Sequence, residues 1–146
     1  MNEKILEMYK FIQDISWYFG NQTFGNECCE DLSLVEYMVL KNVYEFENMT
    51  VQQIGVKLNI TKSGVSKIIN RLEDKKYVSR IKSLEDGRVC CIKITNNGVQ
   101  AIEKIFTEYT NYLMDAVKHL NEDTVSKLKE NLENLYLAVE KKGYIK

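Results

Sequence analysis

A mainly α-helical fold with one small hairpin set into it is predicted for this chain by three observations. Proline is absent from the 146 residues and glycine occurs only 7 times, so few positions break a helix. Apolar residues recur at spacings of three and four along most of the chain. One stretch, residues 77–94, is instead rich in β-branched and aromatic residues and carries a turn signal inside it. A hydrophobic fraction of 45% suffices for a core, and the length suits a single domain, 1–146. No run approaches the ~18 uninterrupted apolar residues of a membrane span, so no membrane partner is expected. The opening MNEKILEMYKF carries acidic groups and lacks the basic-then-apolar plan of a signal peptide, which predicts a cytoplasmic protein.

Each element has a local cause. Over residues 3–19, Ile5, Met8, Tyr9, Ile12, Ile15 and Phe19 mark one helical face, and Trp17 and Tyr18 add aromatic surface beyond it. Residues 20–31, GNQTFGNECCED, read as a loop. Ser33 with Glu36 is a capping box that starts a helix running to about residue 46. Leu34, Tyr37, Met38, Leu40 (or Val39) and Tyr44 are expected on its inward face. Thr50 with Gln53 is a second capping box, opening a helix whose apolar face is expected from Val51, Ile54, Val56 and Leu58. Asn59 tolerates the left-handed conformation that ends a helix, which places a turn at Asn59 and Ile60. Thr61 then caps a helix over residues 62–75, with Val65, Ile68, Ile69 and Leu72 facing inward. Strands follow over 77–83 and 89–94, with Gly87 permitting the turn between them. Thr95 caps a long helix to about residue 119, striped by Val99, Ile102, Ile105, Phe106, Tyr109, Leu113 and Val117. Asn121 caps the last helix, where Val125, Leu128, Leu132, Leu135 and Val139 form a coiled-coil-like seam.

Two short helices joined by a tight turn and followed by a hairpin make a winged helix-turn-helix, a module that lays one helix in the major groove of DNA. On the second helix Thr61, Lys62, Ser63, Ser66, Lys67, Asn70 and Arg71 are left for the outer faces. Hydroxyls, amides and cations near a helix N-terminus suit base edges and phosphates. A lone amphipathic helix would support only a solvated face; here the preceding helix, the turn and the hairpin agree. At the wing, Arg88 suits the focused negative potential of a minor groove, and Asp86 is expected to hold its guanidinium by a bidentate pair. The charge is divided accordingly. Residues 57–93 hold 10 Lys or Arg against 4 Asp or Glu, a balance of +6, and the remainder holds 10 against 17, a balance of −7, summing to the net −1. Salt-dependent binding is expected from that asymmetry.

These residues resemble the multiple-antibiotic-resistance regulator (MarR) family of bacterial transcription factors. The resemblance is carried by Leu32 and Ser33, by Met49, Thr50 and Val51, and by the run Leu58, Asn59, Ile60, Thr61, Lys62 and Ser63. It continues through Val65 and Ser66, Arg71, Leu72 and Glu73, Tyr77 and Val78, Asp86 with Arg88, and Ile94, Thr95 and Gly98. The family usually has Leu at the position of Ile94 and Gly at the position of Lys76. The resemblance implies a winged helix-turn-helix lobe over 32–95, with N- and C-terminal helices (1–20 and 96–146) forming a dimerisation region. Stripes of that length exceed what a small lobe buries alone, so a two-fold homodimer is expected. Such a dimer reads double-stranded DNA with a pseudo-palindromic operator, its recognition helices one turn apart, about 34 Å. The family expectation is repression of the protein's own or neighbouring genes, relieved by a small aromatic ligand in a cleft to which Trp17, Phe24, Tyr37, Tyr44 and Tyr109 are candidates.

The cysteines form two adjacent pairs. Neither has the spacing of a zinc knuckle or a thioredoxin-like motif. Cys90 is expected on the core face of its strand with Ile92 and Ile94, and Cys91 on the opposite face. Cys28 and Cys29 lie between acidic residues, and some members of the resembled family sense metal or peroxide through cysteines in this region. A thiol-redox or metal-responsive regulator using this pair is therefore the alternative effector reading. Flanking carboxylates raise a thiol pKa, and the only histidine is His119, so no metal ligand set and no cofactor is assigned. No nucleophile, base and orienting partner, Gly-rich phosphate loop or carboxylate dyad argues for an enzyme. A winged helix used for protein–protein contact is the remaining alternative.

Overall fold

The computed structural model describes residues 2–20, 32–83 and 85–145. The chain divides into two compact units, 1–106 and 107–146. The first holds α1 (Glu3–Gly20), α2 (Leu34–Glu45), β1 (Met49–Thr50), α3 (Val51–Leu58), α4 (Lys62–Asp74), β2 (Val78–Lys82), β3 (Cys90–Ile94) and the first half of α5 (Asn96–Val117). The second holds the remainder of α5 and α6 (Glu122–Lys142). No helix among the described residues is long and apolar enough to cross a membrane.

Both capping boxes form. Ser33 and Thr50 each accept the N–H three residues on, and Glu36 and Gln53 each return a bond to the cap N–H. Asn59 ends α3 at φ 54°, ψ 46°, and the N–H of Ile60 reaches back to the carbonyl of Gly55 at 2.9 Å. That return passes so close to α3 that a Cβ on Gly55 would lie 2.6 Å from the Ile60 carbonyl oxygen, so only glycine fits there. Lys76 also takes a left-handed conformation, φ 62°, at the position where the resembled family usually has glycine.

The strands pair antiparallel in the order β1-β3-β2, with Met49 opposite Ile92 and Arg80 opposite Ile92 on the other side. The sequence predicts two strands; β1 is a two-residue addition, too short to carry a pattern of its own. The core of this unit is built from Val39, Leu40, Ile54, Val65, Ile69, Leu72, Ile92, Ile102 and Ile105.

Three expectations of facing are corrected. Val56 is 76% exposed, because the buried side of α3 is set by Ile54 and the half-buried Val51 and Leu58 at spacings of three and four, which turns position 56 outward. Leu34, in the first turn of α2, and Tyr44, in its last, are exposed, and the inward face of that helix runs through Glu36, Val39, Leu40 and Val43. Cys91 is buried and Cys90 only half-buried. Cys91 is flanked on both edges of the central strand, by Thr50 of β1 and Ile81 of β2, whereas Cys90 sits at the strand's end opposite the exposed Lys82.

None of α1 is buried, and its Ile5, Met8, Tyr9, Ile12, Ile15 and Trp17 are all exposed. In the second unit α6 likewise has no buried residue, and Leu128, Leu132, Tyr136 and Val139 are exposed.

Candidate nucleic-acid interface

The two halves of α4 differ. Its inward stripe, Val65, Ile68, Ile69 and Leu72, is buried as the spacing requires. At the N-terminal end Thr61, Lys62, Ser63 and Lys67 are exposed and Ser66 is half-buried. The Thr61 hydroxyl oxygen accepts the N–H of Gly64 at 3.1 Å and lies 3.4 Å from the Ser63 hydroxyl. This end therefore presents hydroxyls and ammonium groups together with the positive end of the helix dipole, a combination that attracts phosphate.

The C-terminal half is occupied within the protein. Arg71 Nε donates to Glu36 Oε1 at 2.8 Å, Lys75 Nζ donates to Glu36 Oε2 at 2.8 Å, and the Ser33 N–H donates to Oε2 at 3.0 Å. Glu36 is 4% exposed. Burial alone would raise its pKa, but the hydrogen bonds from Lys75, the Ser33 N–H and Arg71 together outweigh that and hold the carboxyl below its ordinary value. On the other flank Arg80, from β2, forks onto α4. Its Nη2 donates to Asn70 Oδ1 at 2.8 Å and its Nη1 to Glu73 Oε1 at 2.7 Å. Asn70 and Arg71, expected on the outer face, thus both hold contacts inside the lobe, although the Arg71 side chain stays half exposed. Arg80 has no signal in the sequence, and Glu36 reads there only as part of a cap. Their partners on other elements carry no local spacing signal.

The wing is closed by backbone bonds. The Ser83 N–H donates to the Val89 carbonyl at 2.8 Å, and the Val89 N–H to the Asp86 carbonyl at 3.0 Å. The expected grip of Asp86 on the Arg88 guanidinium is corrected: Asp86 Oδ1 accepts the backbone N–H of Arg88 at 3.0 Å. A short acidic side chain reaches the amide two residues on more easily than a long side chain's tip, and the result is an Asx turn. Asp86 shapes the turn and leaves Arg88 exposed at its end.

The candidates for effector binding come from several parts of the chain. Cys28, Cys29 and Phe24 lie outside the described residues. Trp17 is exposed on α1 and Tyr37 is half-buried on α2. Two open clefts of this unit are lined by other side chains. One, about 710 Å³, includes Phe46, Met49, Val56 and Lys57, and the other, about 310 Å³, includes Tyr77, Asn97, Gln100 and Lys104.

Comparison with known proteins follows the same residues. A sequence model of the MarR family matches residues 30–89, the span from the start of α2 to the wing. The transcriptional regulator MhqR of Bacillus subtilis is 27% identical over 106 residues, covering 73% of each chain. An uncharacterised HTH-type transcriptional regulator of Bacillus cereus is 28% identical over 131 residues, covering 85% of this chain and 86% of its own. Among solved structures, a MarR family protein from Bacillus stearothermophilus superposes with a TM-score of 0.82 at 18% identity, over 94% of this chain and 97% of that one. Streptococcus pneumoniae FabT in complex with DNA gives 0.77 at 20% identity, over 98% and 100%. At such identities the likeness of structures speaks for the fold.

Proposed function

We propose that this chain is a winged helix-turn-helix regulator of the MarR kind, acting as a homodimeric, sequence-specific DNA-binding repressor. The observation that carries this reading is the exposed N-terminal end of α4, with Thr61, Lys62, Ser63 and Lys67 outward, in a segment (57–93) holding 10 basic and 4 acidic residues. That end enters the major groove. Ser63 and Ser66 meet base edges, Lys62 and Lys67 meet phosphates, and Arg88 at the wing tip reaches the neighbouring minor groove. Asn70, Arg71 and Asp86 hold the reading elements in place through Arg80, Glu36 and the wing turn.

A second copy covers the exposed apolar stripes of α1 and α6, and the two-fold symmetry matches a pseudo-palindromic operator. A small aromatic ligand relieves repression by favouring a dimer geometry whose recognition helices no longer fit successive grooves; a preference of a few kcal/mol is enough. The test is a titration of the purified protein against the DNA upstream of its own gene, at two salt concentrations, with and without reductant. Tight, salt-sensitive binding to a palindrome in both redox conditions is the expected result. Absence of specific binding to that DNA and to a random-sequence pool would overturn the reading.

A further inference from the structure

Glu36 does more than cap α2. Its carboxylate is buried and takes hydrogen bonds from the Ser33 N–H and from two cations 35 and 39 residues away in the chain, Arg71 in the last turn of α4 and Lys75 at its C-cap. Arg71 and Lys75 lie four residues apart, so they stand one above the other on the same face of α4, and each uses a different carboxylate oxygen. Two consequences follow. The helix that enters the groove is tied to the first turn of α2, which fixes its rotation about its own axis. Part of the positive charge on its C-terminal half is also cancelled inside the protein. A cation already paired with a buried carboxylate has little to offer a phosphate, because leaving the pair would strand that carboxylate.

We propose that Glu36 is a specificity-determining positioning residue, which couples the pose of α4 to α2 and withholds Arg71 and Lys75 from indiscriminate phosphate contact. This rests on the DNA-reading function above. The selectivity of the lobe then comes from the N-terminal end of α4 and the wing, while the cations of its C-terminal half stay out of the counterion exchange that drives non-specific binding. The neutral isostere separates the two roles of the residue. In Glu36→Gln the amide still completes the capping box, since Gln serves at that position as well as Glu. The ion pairs of Arg71 and Lys75 with this carboxylate are lost.

The experiment measures affinity for two duplexes of equal length over a salt series. One is selected from a random pool by the wild-type protein, and the other is its scrambled sequence. Glu36→Gln is expected to bind the scrambled duplex several-fold more tightly at low salt, with the salt slope steeper by about 1 to 2. Affinity for the selected duplex is expected to fall by roughly tenfold, as helix pose is lost. Adding Arg71→Gln and Lys75→Gln to Glu36→Gln should return the slope to the wild-type value. A variant that leaves Glu36 in place gives an independent reading: Arg71→Gln should keep the wild-type slope, whereas Lys67→Gln should lower it by about 1. A purely structural Glu36 would weaken both duplexes alike with no change of slope, and that result overturns the inference. So does a slope lowered by Arg71→Gln as much as by Lys67→Gln. Wild-type protein without preference for any duplex would overturn the functional reading itself, and the inference with it.

Discussion

The carboxylate of Glu36 links a cap, an ion-pair cluster and the pose of the recognition helix, and its acidity makes that link measurable. Its folded pKa lies below the ordinary 4.5, so the stability it contributes is present above pH 4.5 and is lost as pH falls through the folded value. Glu36→Gln is expected to cost about 1 kcal/mol at pH 7, a modest figure because Arg71 is half exposed and its pair is screened by solvent. The difference in melting temperature between wild type and Glu36→Gln should shrink from pH 7 towards pH 3; a constant difference would contradict the assignment. The capping roles of Ser33, Thr50 and Thr61 were legible in the sequence because a cap and its partner lie three residues apart. The partners of Glu36 and Arg80 were not, because each depends on which helix or strand comes to lie alongside.

Helices α1 to α6 follow their apolar periodicity, and the turn at Asn59 follows from one residue's tolerance of positive φ. Strand β1 was illegible because two residues carry no period; its place is set by β3, which it pairs through Met49 and Thr50. The apolar face of α3 was misread at Val56 because a short helix offers too few turns to decide which residues share the buried side. Between α4 and the wing, Arg80 bonds both Asn70 and Glu73. Arg80→Met keeps most of the stem's packing and removes the fork. It is expected to lower affinity for a selected operator by about tenfold, from the loss of one or two charge-assisted hydrogen bonds, with the salt slope reduced by less than that of Lys67→Gln. Equal loss of affinity on scrambled DNA would instead assign Arg80 to phosphate.

Across the full chain, exposed apolar stripes on α1 and α6 are the feature that a lone copy leaves unexplained. Isolated exposed leucines are ordinary, but a row at helical spacing is the mark of an interface. Leu132→Glu, on the exposed face of α6, is expected to convert the protein to a monomer in sedimentation, with a melting temperature that no longer depends on protein concentration. A dimer that survives the substitution would move the interface away from α6. The family resemblance in the lobe was legible because DNA reading demands particular residues at particular places. The effector was not, because an apolar cleft is served equally well by many side chains.

Two copies of α4 are proposed to read successive major grooves. The most direct measurement is a footprint of the wild-type protein on a duplex selected from a random pool. Two inverted half-sites about 10 bp apart, centre to centre, are expected, each contacted in the major groove and flanked by a minor-groove contact from the wing. A single half-site, or protection without sequence symmetry, would contradict that reading.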